Sequence, residues 1–302
     1  MQYLDDAIAD LQKEDLIDPE AQDLLYQGDA EKWLKLAYGL KARYTMHLLK
    51  RSANKDADME KVLEYVNNSF ESAEEQAAFD VYDANNINPL YGFFVARAGL
   101  GASESMRSKL AEYNDPRLSR AFITKQGTSG KEQAPGTADN AVYAPNGTPE
   151  QGTSKYGTSL FMYSISAPTL LLSYHELKFL EAEALCRLER DAKSALKDAV
   201  VAGLLNAENS FTISRKELGK TLINAASSIT EAEAESYFDN TIEAKYTAEP
   251  LKTTMTQKYF ALWGASGEAT ESYNDVRRMK GLGENFIELK NPNSFPLRCP
   301  YG

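Results

Sequence analysis

One run, Ser173-Tyr174-His175-Glu176-Leu177-Lys178-Phe179-Leu180-Glu181-Ala182-Glu183-Ala184, constrains the fold more than any other part of the chain. Leu177, Leu180, Ala184 and Leu188 recur at steps of three and four, and Phe179, Ala182 and Cys186 widen the same stripe. The segment therefore reads as a helix whose apolar side packs on other helices. Glu183 lies at the edge of that stripe, one turn from Phe179 and Leu180. A carboxylate taken out of water there is costly unless it is paired, so Glu183 is expected to have an internal partner. Glu181 diverges from it on the helix and is expected to be solvated.

Helical periodicity dominates elsewhere. Residues 3–27 read as one or two short helices, with Pro19 opening the second. Asp29 is placed to cap the next helix, in which Trp33, Ala37, Leu40, Tyr44 and Leu48 follow steps of four, three, four and four. Met59, Val62, Leu63, Val66 and Phe70 mark its antiparallel partner. A second pair is expected over residues 169–206. Helix pairs of this kind predict a mainly α, tetratricopeptide-like α/α superhelix, although no period near 34 residues runs through the chain. Phe79-Asp-Val-Tyr-Asp and Tyr91-Gly-Phe-Phe-Val-Ala read as extended. After Ser214 the chain turns helical again, with a start at Ser228–Glu231 and a helix from Lys252 to Trp263, and Asn291-Pro292, Pro296 and Pro300 give an extended tail.

Residues 113–168 break the pattern. Gly, Thr, Ser, Asn and Pro dominate them, and long insertions in compact domains are usually functional or disordered. This one carries Phe122, Tyr143, Tyr156, Phe161 and Tyr163, whereas disordered segments are poor in aromatics. It is read as an ordered loop face inside a single domain spanning residues 1–302.

Several functions are disfavoured. The 33 Lys+Arg against 44 Asp+Glu leave a formal charge of −11, which opposes binding to nucleic acid or anionic lipid. Two histidines, His47 and His175, both fall inside helical patterns, and HExxH, CxxC pairs, GxGxxG and GxxxxGK are missing, so no cofactor or metal is expected. Asp115, Asp139 and Asn140 lack the spacing of a calcium loop. Cys186 and Cys299 imply no disulfide framework. No stretch approaches the ~20 apolar residues of a membrane-spanning helix.

Six pieces in order resemble the SusD/RagB superfamily and its SusD-like branch. They are the Trp33–Arg51 helix with Lys41-Ala42-Arg43-Tyr44, the Asp115-Pro116-Arg117 turn, the Tyr174–Ala184 helix, Gln257-Lys258-Tyr259, Glu271-x-Tyr273-Asn274-Asp275-x-Arg277-Arg278, and Phe295-Pro296-Leu297-Arg298-x-Pro300-Tyr301. The resemblance implies a SusD-like fold with irregular loop insertions. It also implies a non-catalytic role: capturing glycan or peptide nutrients and handing them to a SusC-like TonB-dependent outer-membrane transporter. By the same resemblance the chain is expected to be trimmed at both ends, its parent a lipoprotein on the extracellular face of the outer membrane. Neither Cys186 nor Cys299 is placed to carry the lipid.

Family ligand contacts lie in variable loops, so no binding residue transfers by motif. Aromatic rings in loops suit sugars, whose C–H faces stack on them while amides reach the hydroxyls. The candidates are Tyr143, Tyr156, Phe161 and Tyr163 for stacking, with Asn140 and Asn146 for hydrogen bonding; no catalytic residue is assigned. A tetratricopeptide-like protein-interaction scaffold is the alternative reading. A glycoside hydrolase using Glu181 and Glu183 is the third.

Overall fold

Asp29 starts the first long helix as its position suggests, its carboxylate accepting from the Lys32 amide at 3.1 Å. The computed structural model describes residues 1–13, 20–97, 100–124, 133–137, 139–146, 155–264 and 267–289. Pro19, Cys299 and the Phe295–Tyr301 segment lie outside them, and where a helix after Pro19 was expected the described residues form a 3-10 turn, Glu20–Gln22, and further turns. The chain folds as two compact units. The first comprises Met1–Asn88, Ser166–Asn209 and Ile229–Ile287; the second comprises Pro89–Ile165, Ser210–Ser228 and Glu288–Gly302.

The first unit is built on helix pairs. α1 (Gln2–Leu11) and α3 (Lys55–Asn67) both pack on α2 (Ala30–His47), and α3 starts where Asn54 accepts from the Ala57 amide at 3.1 Å. A short antiparallel ribbon, β1 (Ala77–Phe79) with β4 (Thr169–Leu172), pairs Ala77 with Leu172 and Phe79 with Thr169. α6 (Tyr174–Arg187) follows immediately and packs on α3 and α2. Ser173 caps it by accepting from the Glu176 amide at 3.1 Å. Leu177, Leu180 and Ala184 of the predicted stripe join Leu36, Ala42, Met46, Met59, Val62 and Leu172 in one core. Gly39 is required where α2 meets β4, because a Cβ there would lie 2.4 Å from the Leu172 side chain.

α7 (Lys193–Leu218) belongs to the first unit up to Asn209 and to the second from Ser210. α8 (Glu231–Tyr237) is capped by Thr230 and passes through a π-helical turn, Phe238–Ile242, into α9 (Glu243–Ala248). α10 (Pro250–Ala261) opens with Pro at its first position and packs along α6. α11 (Ala269–Leu282) closes the unit, with Val276 and Met279 meeting Met255 and Ile287 in a smaller core.

In the second unit α4 (Pro89–Arg97) corrects the sequence reading, since Tyr91–Ala96 is helical and not extended. α5 (Glu104–Glu112) begins at Ser103, whose hydroxyl accepts from the Met106 amide at 3.3 Å. β2 (Phe122–Ile123) and β3 (Thr158–Ser159) pair antiparallel, and 3-10 turns occupy Pro116–Ser119 and Leu160–Tyr163. Apart from these short elements, the described part of 113–168 is loop. The protein is mainly helical, with irregular insertions, as the periodicity predicts.

Candidate functional site

The insertion is tied together by its own polar groups. Asp115 caps the Pro116 turn, accepting from the Arg117 amide at 2.9 Å, from Arg117 Nε at 2.8 Å and from Nη2 at 2.7 Å. Glycines allow close passage: a Cβ at Gly136 would meet the Tyr143 hydroxyl at 2.7 Å, and one at Gly157 the Ile123 carbonyl at 2.9 Å.

The six candidate residues fall into two groups. Tyr143, Tyr156 and Phe161 are buried. Tyr143 stands edge-on to Phe122 at 5.3 Å with the Arg107 guanidinium over its ring, and Phe161 packs on Phe211 at 4.7 Å. Tyr163 is half-buried against Phe94, its hydroxyl accepting from Gln133 Nε2 at 3.2 Å. Asn140 is exposed, accepting from the Thr137 amide at 2.7 Å and donating to the Pro135 carbonyl at 3.0 Å. Asn146 is half-buried and accepts from the Ser103 hydroxyl at 3.5 Å. Among the large apolar side chains that are exposed, the candidate list passed over the aromatic Phe93 on α4, which keeps 51% of its surface in water.

The first unit holds a cavity of about 470 Å³. One face of α7, from Lys197 through Ala202 to Asn209, forms its floor, and the first turn of α6 contributes Tyr174 and His175. Glu231 and Glu235, a turn apart on α8, and the Glu71–Gln76 turn complete the wall. Gln76 is fixed in place because its Oε1 accepts from the Tyr174 amide at 3.2 Å. The sequence signal was weak: Asp198, Asn206 and Asn209 give α7 a polar edge, whereas Leu196, Ala199, Val200 and Leu204 of the same helix are buried.

Behind α6 runs a buried ionic network. Arg43 Nε donates to Glu176 at 2.9 Å, and Nη2 donates to the Leu171 carbonyl at 2.8 Å. Glu268 accepts from the Ser173 amide at 2.5 Å. Lys258 pairs with Asp275 at 2.8 Å. Glu183 has the internal partners it needs, with Arg278 Nη2 at 2.7 Å and Arg187 Nε at 2.7 Å. Burial pushes its carboxyl up, but the two guanidiniums outweigh that and hold it well below the usual range. A carboxylate so held has no proton to give to a leaving group. Glu181 lies partly exposed, 2.6 Å from Lys178, so the two glutamates do not flank a common cleft. His175 is buried on the cavity side of α6, with Nε2 3.9 Å from Glu268. Asp115 spends its carboxylate on Arg117, and among the described residues no group of three His, Cys, Asp or Glu is placed to hold a metal ion.

A family model described as SusD-like, starch-binding associating with outer membrane, matches residues 1–301. Comparison with curated protein sequences finds no match. A solved SusD/RagB family protein from Bacteroides thetaiotaomicron is 65% identical, with a TM-score of 0.93 over 96% of this chain and 62% of that one. A SusD homolog from Bacteroides fragilis shares the fold at 19% identity, with a TM-score of 0.70 over 98% of this chain and 66% of that one. A chitin-binding protein shares it at 19% identity and a TM-score of 0.61, over 91% of this chain and 59% of that one. The chain thus spans less than two thirds of the length of each of these relatives. It belongs to the SusD/RagB family, in the SusD-like group whose family model is described as starch-binding, associating with outer membrane.

Proposed function

We propose that the protein binds glycan nutrients at the cell surface, without catalysis, and delivers them to a SusC-like TonB-dependent transporter from a lipid-anchored position on the outer membrane. The observation that carries this reading is the family match along residues 1–301, with its starch-binding description. The chitin-binding relative favours glycan over peptide. The loop-rich second unit is the proposed ligand face. There Phe93 offers an open ring to a sugar's C–H face, with Asn140, Asn146 and Tyr163 as polar or edge contacts. Tyr143, Tyr156 and Phe161, being buried, are assigned a packing role in the loops and no stacking contact with the ligand. Such a site needs little energy, since millimolar affinity corresponds to about −4 kcal/mol.

Calorimetry with soluble starch and chitin oligosaccharides, and with peptides as the competing class, tests the assignment. Saturable glycan binding that Phe93→Ala weakens, with no release of reducing sugar, is the expected result. Peptide binding alone, or product release, overturns it. For the transporter, a pull-down of the protein from detergent-solubilised outer membranes of its native host is expected to recover a TonB-dependent barrel. Recovery without one refutes the delivery step.

A further inference from the structure

We infer that the cavity between the Glu71–Gln76 turn, α6, α7 and α8 is a second ligand site, selective for a small organic molecule that carries a protonated amine beside an apolar face. The inference stands apart from the glycan reading, which concerns the other unit. At about 470 Å³ the space falls within the ~300–1,000 Å³ of small-molecule sites.

The charge around it is one-sided. Glu71, Asp198, Glu231 and Glu235 face it, against Lys197 alone. That lysine is committed elsewhere, because its ammonium donates to both oxygens of Asp239 at 2.8 and 2.9 Å, and Asp239 lies outside the lining. Lys178 and Lys35 approach Asp198 and Glu71 at 3.4 and 3.6 Å, but each is closer to another carboxylate, Glu181 and Glu75, at 2.6 Å. Glu231 and Glu235 make no ion pair within 4 Å among the described residues, and of the two only Glu235 lies near enough to Lys197 to raise its affinity for the proton. The four carboxylates stand at the exposed rim of the cavity, and a cleft rimmed by one sign of charge draws the opposite sign toward its mouth.

Two further features decide what kind of cation fits. No group of three carboxylates among the described residues stands in metal-holding geometry, which favours an organic ammonium over a metal ion. Val201, Ala202 and Leu205 give the floor an apolar strip, and the side-chain amides of Asn206 and Asn209 border it. Neither amide hydrogen-bonds to a described residue, so both have donors and acceptors to offer a ligand's hydroxyl or carbonyl groups. An amino sugar and a lysine-bearing dipeptide share this chemistry: one ammonium, a short apolar face and neutral polar groups.

Isothermal titration of the intact chain separates the sources. Glucosamine is compared with N-acetylglucosamine, and Gly-Lys amide with its ε-acetylated form, so that each pair differs in the charge. At least one free amine is expected to bind saturably, with its acetylated partner about tenfold weaker. Which pair responds identifies amino sugar or peptide as the source. Glu231→Gln combined with Glu235→Gln removes two exposed charges and is expected to weaken the amine about tenfold, whereas Phe93→Ala leaves it unchanged. Ala202→Trp fills the floor and is expected to abolish binding while helical circular dichroism persists. Equal affinity for free and acetylated probes, no saturable binding of either amine, or full binding by the double glutamine variant overturns the inference.

Discussion

Arg278 of α11 reaches Glu183 of α6 across 95 positions of sequence, with Nη2 2.7 Å from Oε2, and both side chains are almost wholly withdrawn from water. Arg278 also holds Asp275 at 2.8 Å, and Asp275 in turn pairs with Lys258 of α10. Three helices thus meet at one set of charges. Removing Arg278 takes a charge from a buried set in which Glu183 keeps Arg187 and Asp275 keeps Lys258, so the remaining pairs share an unbalanced charge.

The first prediction follows from that asymmetry. Arg278→Met is expected to destabilise the first unit by about 3–5 kcal/mol, the usual cost of breaking a buried ion pair from one side. Glu183→Gln should destabilise in the same direction but by less, because Arg278 keeps Asp275 and Arg187 keeps Glu284. Urea denaturation followed by circular dichroism checks this: the midpoint should fall with an unchanged slope. A midpoint equal to that of the parent would show the network to be dispensable.

The same network sets a pH dependence with two limbs. Burial raises Glu176 and Glu183, yet Arg43 outweighs it for the first, and Arg278 with Arg187 for the second, so both end below the ordinary 4.5. Their contribution is therefore complete above that value and declines as pH falls below it. Glu268 behaves oppositely. Burial, then the neighbouring Glu176, holds it well above 4.5, so the folded state keeps a proton that the unfolded chain releases. That contribution is complete below 4.5 and is lost as pH rises towards the folded-state value. Glu268→Gln keeps an oxygen for the Ser173 amide and needs no proton. The variant is expected to match the parent near pH 4 and to hold its melting temperature better towards neutral pH. Parallel melting curves for the two proteins across that range would count against a retained proton.

A backbone prediction separates two glycines. Gly267 has φ +92 and sits so close to the ribbon that a Cβ would lie 2.3 Å from the Leu170 carbonyl oxygen. Gly283 ends α11 with φ +83 and has nothing within 4 Å of the same position. Gly283→Ala pays only for the left-handed conformation, about 1–2 kcal/mol. Gly267→Ala adds a collision with backbone that has no rotamer to escape into, and is expected to cost clearly more. Differential scanning calorimetry of the two variants gives the order.

How far these features were legible differs element by element. The stripe through Leu177, Leu180 and Ala184 identified a core helix, and the burial of Glu183 demanded a partner. Local spacing gave no sign that Arg278 would be that partner, because the pairing depends on where α11 returns. α4 misled for a physical reason: Tyr91, Phe93, Phe94 and Val95 are the aromatic and β-branched residue types enriched in strands, although of Phe93, Phe94 and Val95 only Phe94 is buried. Pro89 at the start of that helix was the missed signal. The cavity draws on four separate segments, each with an ordinary local pattern, so only the fold assembles it.

The last prediction concerns the second unit. Arg117 and Asp115 are buried two residues apart, and the carboxylate accepts from Nε and Nη2 of the same guanidinium. A lysine carries one compact ammonium and cannot present that two-pronged donor, so Arg117→Lys keeps the charge and loses the geometry. The expected consequence is local. Amide hydrogen exchange should accelerate in the Pro116–Ser119 turn and the strands beside it, while α2, α3 and α6 exchange as in the parent. Asp115→Asn should speed the same amides, since it leaves a buried guanidinium without its carboxylate. Acceleration spread evenly over both units, or none in the turn, would show that the Asp115–Arg117 pair does not hold the base of the loop region.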